Sequence, residues 1–391
     1  MILTQGAARV LRRAGKAAGA VAILGAIAVG FWFGAGAIKG HGSEAVKAGG
    51  SPLLIYSEFG RNADTIWAAS PDDTSDRSKL TSVDHAPEYG IFPSLSPDGS
   101  RIAYTVLPAG GAAAIDAPAE VWLMDRDGRH RERLAIDADL PVAPVWSPDG
   151  SSVVFRRSSN SDSGGGFQLV RVTATGVETV LLDTADGVFP VDFAPDGSLY
   201  FTRLSTAGTD LGVVRPDGSV ATTVAHLSDD FARDWHLSPD GNRLAYLAPR
   251  QAGDQVLYGA VIMDLGPTAA VSQSLAAAAP SGRDAEFNPI WRPNGSGVTI
   301  GRLASNTGSG VLQMATNGGP AMPALAAPPS GFDVPLSWSD DAAYLAVRYF
   351  ENNSVTNPGR SWVTVVGSDG ERHTVSPNSD VEVLGWADSG G

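Results

Sequence analysis

A ring of seven four-stranded β-sheets, an all-β seven-bladed propeller, is the fold this sequence of 391 residues predicts. Three observations carry the prediction. A turn tetrapeptide of the Ser-Pro-Asp-Gly type recurs at near-constant spacing. Strand-forming segments follow each recurrence, with a second tight turn before the next. The chain ends on one strand segment whose only free partners lie at the start of the repeat region.

The tetrapeptide stands at Ser96-Pro97-Asp98-Gly99, Ser147-Pro148-Asp149-Gly150, Ala194-Pro195-Asp196-Gly197, Ser238-Pro239-Asp240-Gly241 and Arg292-Pro293-Asn294-Gly295, then in weaker form at Ser339-Asp340-Asp341-Ala342 and Ala387-Asp388-Ser389-Gly390. Counted at the second residue, the steps are 51, 47, 44, 54, 47 and 48 residues, the length of one propeller blade. Proline presets the first corner, aspartate caps the turn through its side chain, and glycine supplies the positive φ. Each copy is therefore expected to join the first and second strands of a blade.

The elements follow in order. Val142 to Trp146 exemplifies the inner strand before the turn, and Arg101 to Thr105 the β-branched or aromatic strand after it. Glu120 to Met124 and Arg131 to Leu134 then supply third and fourth strands. The second turn shows as Asp127-Gly128, Thr175-Gly176, Asp217-Gly218, Asn317-Gly318 and Asp369-Gly370. Leu53 to Ser57, Thr65 to Ala69 and Lys79 to Val83 are three strands lacking an inner one, and Val381 to Trp386 is an inner strand lacking followers. Pairing them closes a seventh blade and removes the open edges; six blades with an unpaired tail is the alternative.

Composition suits this fold and restricts function. Glycine (46) and proline (26) match a chain that turns about every ten residues. A formal charge of −14 opposes nucleic-acid binding, which needs clustered Lys and Arg, and favours a basic partner. With no cysteine there is no disulfide, thiolate metal site, thiol nucleophile or lipoprotein anchor.

The N-terminal region divides into a basic tail at 1–16, an apolar segment at 17–38 and a polar linker at 39–51, ahead of the propeller at 52–391. Twenty-two uncharged residues in helix reach about 33 Å, enough to span a bilayer core of about 30 Å. Arg9, Arg12, Arg13 and Lys16 before the segment place the tail in the cytoplasm and the propeller outside. This reading gives a single-pass protein of a bacterial inner membrane. A signal peptide cleaved after Ala35-Gly36-Ala37 is the rival and exports the domain equally. Gly30 and Gly34 have the small-xxx-small spacing that lets membrane helices pack closely.

The block Pro144-Val145-Trp146-Ser147-Pro148-Asp149-Gly150, recurring in register, resembles the repeat of TolB-like β-propellers and of the propeller domains of prolyl oligopeptidase relatives. The resemblance covers about residues 52–391 and implies fold more than activity, because this repeat serves periplasmic scaffolds, peptidase gating domains and some lyases. TolB resembles a six-bladed ring with a separate N-terminal domain, which this sequence does not match. The α/β-hydrolase domain and G-x-S-x-G elbow of the peptidases are also missing, so that activity is not expected.

Candidate sites follow from the topology. The two tight turns of each blade lie on one face and the longer connections on the other, where binding is usual. The fourth-to-first connections carry Asp84 and Glu88; Asp137 and Asp139; Asp183 and Asp186; Asp229, Asp230 and Asp234; Asp284 and Glu286; Asp333; Asp380 and Glu382. Only Arg233 and Arg283 oppose these carboxylates in the same loops, so a strongly negative channel mouth is expected, able to attract a basic protein segment or a divalent ion such as calcium. The alternative role is capping of turns and solubility.

His41, His85, His130, His226, His236 and His373 show no metal-ligand spacing; a lyase-like site would need His85, His236 and acids to converge in the channel. Trp146, Trp235, Trp291, Trp338 and Trp386 are expected to wedge between sheets. The expected function is a membrane-tethered extracytoplasmic scaffold for protein interaction, of the kind that serves as an accessory subunit of a larger membrane assembly. It carries no catalytic residues, metal or resident cofactor. A propeller lyase or hydrolase and a small-ligand sensor are the alternatives.

Overall fold

The turn tetrapeptide is a self-contained hydrogen-bonded unit. Ser96 Oγ donates to Asp98 Oδ1 (2.6 Å), which also accepts the Ser100 N–H (3.0 Å), while the Arg101 N–H donates back to Ser96 Oγ (2.9 Å). Gly99 closes the turn onto Ser96 O at 2.8 Å with φ of 70°, a conformation glycine adopts without steric cost. Burial opposes the charge on Asp98, but the bonds from Ser96 and Ser100 outweigh it and lower its pKa. The unit repeats at Ser147/Asp149, Ser238/Asp240 and Ser339/Asp341. In the last of these Ala342 occupies the glycine position with φ of 58°.

The computed structural model describes residues 51–111, 113–159, 165–266, 284–304, 309–316 and 321–389. The apolar segment at 17–38, with Gly30 and Gly34, lies outside the described residues. Among these, no helix is long and apolar enough to cross a membrane.

The described residues form seven antiparallel sheets. In chain order the strands begin with β1 (Pro52–Glu58), β2 (Ala63–Ala69) and β3 (Arg77–Asp84). Blade 1 is β4 (Ile91–Leu95), β5 (Arg101–Val106), β6 (Ala119–Asp125) and β7 (Glu132–Ala138); blade 2 is β8 (Val145–Trp146), β9 (Ser152–Ser159), β10 (Gly166–Thr173) and β11 (Glu178–Thr184). Blade 3 is β12 (Gly187–Phe193), β13 (Leu199–Ser205), β14 (Gly208–Val214) and β15 (Val220–Ser228). Blade 4 shows β16 (Arg233–Leu237), β17 (Arg243–Ala252) and β18 (Gln255–Asp264), three strands among the described residues. Blade 5 is β19 (Ala285–Trp291), β20 (Gly297–Leu303), β21 (Gly310–Ala315) and β22 (Met322–Pro323). Blade 6 is β23 (Phe332–Trp338), β24 (Tyr344–Phe350), β25 (Ser361–Gly367) and β26 (Arg372–Thr374), and β27 (Val381–Asp388) ends the ring.

Closure is as the strand count requires. β27 pairs with β1 from Pro52 opposite Asp388 to Glu58 opposite Val381, giving the seventh sheet the order β27-β1-β2-β3. The blade count is therefore seven, not six with a tail. The first turn seals this junction: a Cβ on Gly99 would stand 2.9 Å from the Ala387 Cβ.

Aromatic rings hold neighbouring blades in step. Trp146 donates its indole N–H to Ser94 O (3.3 Å), Trp291 to His236 O (2.9 Å) and Trp386 to Ser337 O (3.3 Å), each reaching the inner strand of the preceding blade. Trp338 reaches back to Thr299 Oγ1 (2.9 Å). A buried indole that also satisfies its N–H adds direction to apolar packing. The apolar clusters are accordingly wedges between consecutive sheets, such as Trp146 with Phe92, Ala103 and Leu123.

Candidate functional site

Five inner strands, β12, β16, β19, β23 and β27, break register shortly before the turn. Such bulges twist a strand and re-aim side chains. Two of them place buried polar residues at positive φ, Asp234 (55°) and Asn288 (38°), and in β27 Gly385 has a positive φ of 139°.

The face opposite the tight turns is built asymmetrically. β17 and β18 are ten residues each and join through the short turn at Gly253. At its far end Leu257 packs with Phe287, Phe332 and Phe350, whose rings stack at 5.2 and 5.0 Å. The Arg250 guanidinium also donates to Asp284 O. Blades 5 and 6 are thus covered on this side by apolar packing.

The fourteen carboxylates expected there divide between strands and loops. Asp84, Asp137 and Asp183 belong to the outer strands β3, β7 and β11; Asp234, Glu286, Asp333 and Glu382 to the inner strands β16, β19, β23 and β27; and the remaining seven to the connections. The ladders run further toward this face than turn residues alone indicate.

Their charge is also balanced more than a loop inventory suggests. Arg61 meets Glu88 (3.0 Å), Arg157 meets Asp137 (3.0 Å), Arg156 meets Asp139 (2.6 Å) and Arg203 meets Asp186 (3.3 Å). Arg302 binds Glu286, and Arg372 binds Asp333 at 2.6 Å. These cations come from strands or from other loops, which is why counting the acidic loops alone overstates the negative potential. Exposed carboxylates persist at Asp84, Asp183, Asp229 and Asp230. Asp229 accepts from His226 (3.1 Å), and Asp183 from Gln168 (2.6 Å).

Between blades 7 and 1 lies a buried ionic group that residue spacing does not disclose. Asp64 Oδ1 faces His85 Nε2 at 3.0 Å, and Asp64 Oδ2 accepts the Ile91 N–H at 2.9 Å. His85 Nδ1 lies 2.8 Å from the Ala86 carbonyl and 3.3 Å from the Gly90 N–H. Burial opposes a charge on the ring, but the bonds to Asp64 and Ala86 raise its pKa overall. Nearby, Glu382 has its carboxyl pushed up to about 8, by burial first and then by Asp64, against the pull of Arg348. Arg348 is itself buried and donates to Ser379 O (3.3 Å) and Val381 O.

His236 has different company. Asn288 Nδ2 donates to Pro335 O (2.6 Å), so its Oδ1 is the atom that faces His236 Nε2 at 3.2 Å. That oxygen can only accept, so Nε2 carries the proton. Burial holds the ring neutral, with its pKa lowered to about 4. His85 and His236 therefore serve separate networks, and among the described residues no three His, Asp or Glu side chains gather as a metal ion would require.

At the tight-turn end of the channel, Leu95, Ile290, Trp291, Trp338, Leu384 and Trp386 line a small cleft.

No family model matches the sequence. The fold is similar to a prolyl endopeptidase at 16% identity over 97% of this chain and 55% of that one (TM-score 0.57). It is also similar to oligogalacturonate lyase from Vibrio parahaemolyticus, at 11% identity over 84% and 86% (TM-score 0.56). TolB from Acinetobacter baumannii aligns at 17% identity over 86% of this chain and 66% of that one (TM-score 0.48). The chain thus spans about half the length of the endopeptidase chain it matches. Likeness at this identity shows the fold, a seven-bladed β-propeller, and nothing beyond it.

Proposed function

We propose that the chain is a binding scaffold rather than an enzyme. In this reading it is tethered to a bacterial inner membrane by residues 17–38 and presents its long-connection face outside the cytoplasm to a protein partner with a basic segment. The observation that favours it is the gathering of exposed Asp84, Asp183, Asp229 and Asp230 on the face that carries the variable connections. The paired carboxylates are structural in this reading, and recognition rests on the exposed ones. The TolB-like fold suits a scaffold, although peptidases and a lyase share it.

Affinity recovery from detergent-solubilised membranes, comparing the full-length chain with Asp84→Asn/Asp229→Asn/Asp230→Asn, tests this. A partner held by the first and lost from the second is expected. Recovery of the same partner by both, or of none by either, overturns it.

A further inference from the structure

The connection from β3 to β4, residues 85–91, hangs on one buried carboxylate. Asp64 Oδ1 accepts the Gly60 N–H at 3.1 Å besides facing His85 Nε2, and Oδ2 holds the N–H of Ile91, the first residue of β4. The His85 ring stacks on Phe59 at 5.9 Å and lies against Ala86 and Gly90. Asp64 and His85 thus pin the connection at both ends. Between them Glu88 stands at φ of 74°, a conformation that persists in a non-glycine residue only where its surroundings enforce it.

The seam beside this pair is less firmly tied. Glu382 of β27 faces the Asp64 carboxylate and the Arg348 guanidinium through space, without a hydrogen bond to either. Opposite Glu382 in the ladder, Ser57 is 3% exposed and its Oγ meets no partner. Arg348 directs its donors to Ser379 O and Val381 O instead. A second buried carboxyl next to Asp64 fits best while it keeps its proton.

We propose that Glu382 is a proton-operated latch on the connection 85–91. Protonated, it leaves Asp64 free to hold His85 and Ile91; ionised, it sets a like charge beside Asp64 and lets the connection open without the rest of the ring. The latch lies at the root of Asp84 and Glu88 and does not depend on which partner their face receives.

The charged groups facing Glu382 are Asp64 from β2 and Arg348 from β24; Arg348 also faces Asp380, and His85 faces Asp64 and Asp84. With the seam closed, burial first and then Asp64 push the Glu382 carboxyl up to about 8, and an open seam returns it toward the ordinary 4.5. Between those values the closed state holds a proton that the open state has released, so opening becomes easier as pH rises. His85 acts in the same direction. Burial lowers its pKa, but the bonds to Asp64 and Ala86 raise it overall.

The test is amide hydrogen exchange of the full-length chain, with Glu382→Gln measured beside the wild type at each pH so that the chemical pH dependence cancels. At about pH 4.5 the two proteins should protect residues 85–91 equally. By about pH 8 the wild type should exchange these amides about tenfold or more faster than Glu382→Gln, while its β17–β18 ladder stays slower than 85–91. Equal exchange of 85–91 in the two proteins at about pH 8 overturns the proposal. So does exchange of 85–91 in step with β17–β18, which would make Glu382 a determinant of global stability alone. The wild type by itself gives a second reading: protection of Ile91 relative to β17–β18 should fall about tenfold or more over the same range, and a constant ratio overturns the latch.

Discussion

Trp291 donates its indole N–H to the main-chain carbonyl of His236, 2.9 Å away in the preceding blade. The bond ties a fully buried wedge residue to the inner strand of the neighbouring blade. Trp291→Phe removes the bond while keeping most of the ring, and should cost about 1 kcal/mol. Trp291→Ala should cost about 3–5 kcal/mol through the cavity it leaves. Denaturant titration of both variants separates the two contributions.

Ala342 carries the positive φ that glycine holds in the other turns. An L-residue in that region is strained by about 1 kcal/mol. Ala342→Gly should therefore stabilise the protein by roughly 0.5–1 kcal/mol despite the added freedom of the unfolded chain, seen as a shift of the chemical midpoint with unchanged slope.

Glu286 is 2% exposed and is held by Arg302 and by the Ala260 N–H at 2.7 Å. Arg302→Ala strands a buried carboxylate and should cost about 3–5 kcal/mol. Arg302→Ala combined with Glu286→Gln should recover part of that loss, measured as a double-mutant cycle.

Glu382 gives stability a pH dependence whose sign is fixed. Its folded pKa, about 8, lies above the ordinary glutamate value of 4.5, so the native state holds a proton that the unfolded chain releases across that window. Stability from this group is full below about pH 4.5 and falls as pH rises toward 8. Glu382→Gln should match the wild type at about pH 4 and exceed it by on the order of 4 kcal/mol at about pH 8. Thermal melts across that range decide it; parallel profiles for the two proteins would refute it.

Deleting residues 381–391 removes β27 and leaves Leu54, Ile55 and Tyr56, all fully buried in the ring, facing water. A cooperative melting transition should be lost.

The ring itself was legible because its information is local and repeated. Asp98, Asp149 and Asp240 each bond residues within two positions of themselves, so the motif states its geometry without reference to the rest of the chain. The closing strand was legible by counting. The ionic partners were not, because Asp64 with His85, and Arg372 with Asp333, lie 21 and 39 residues apart with no spacing rule to join them. The lock between His236 and Asn288 spans 52 residues and two blades. A repeat announces its backbone through similarity, whereas its chemistry sits where the repeats differ.

The 1+3 closure also fixes where the chain joins the ring. Because Pro52 lies opposite Asp388, at the end of an inner strand that runs toward the tight turns, the chain enters on the tight-turn side. In the membrane-tethered reading proposed above, that side would face the bilayer, and the face carrying Asp84, Asp229 and Asp230 would be turned away from it.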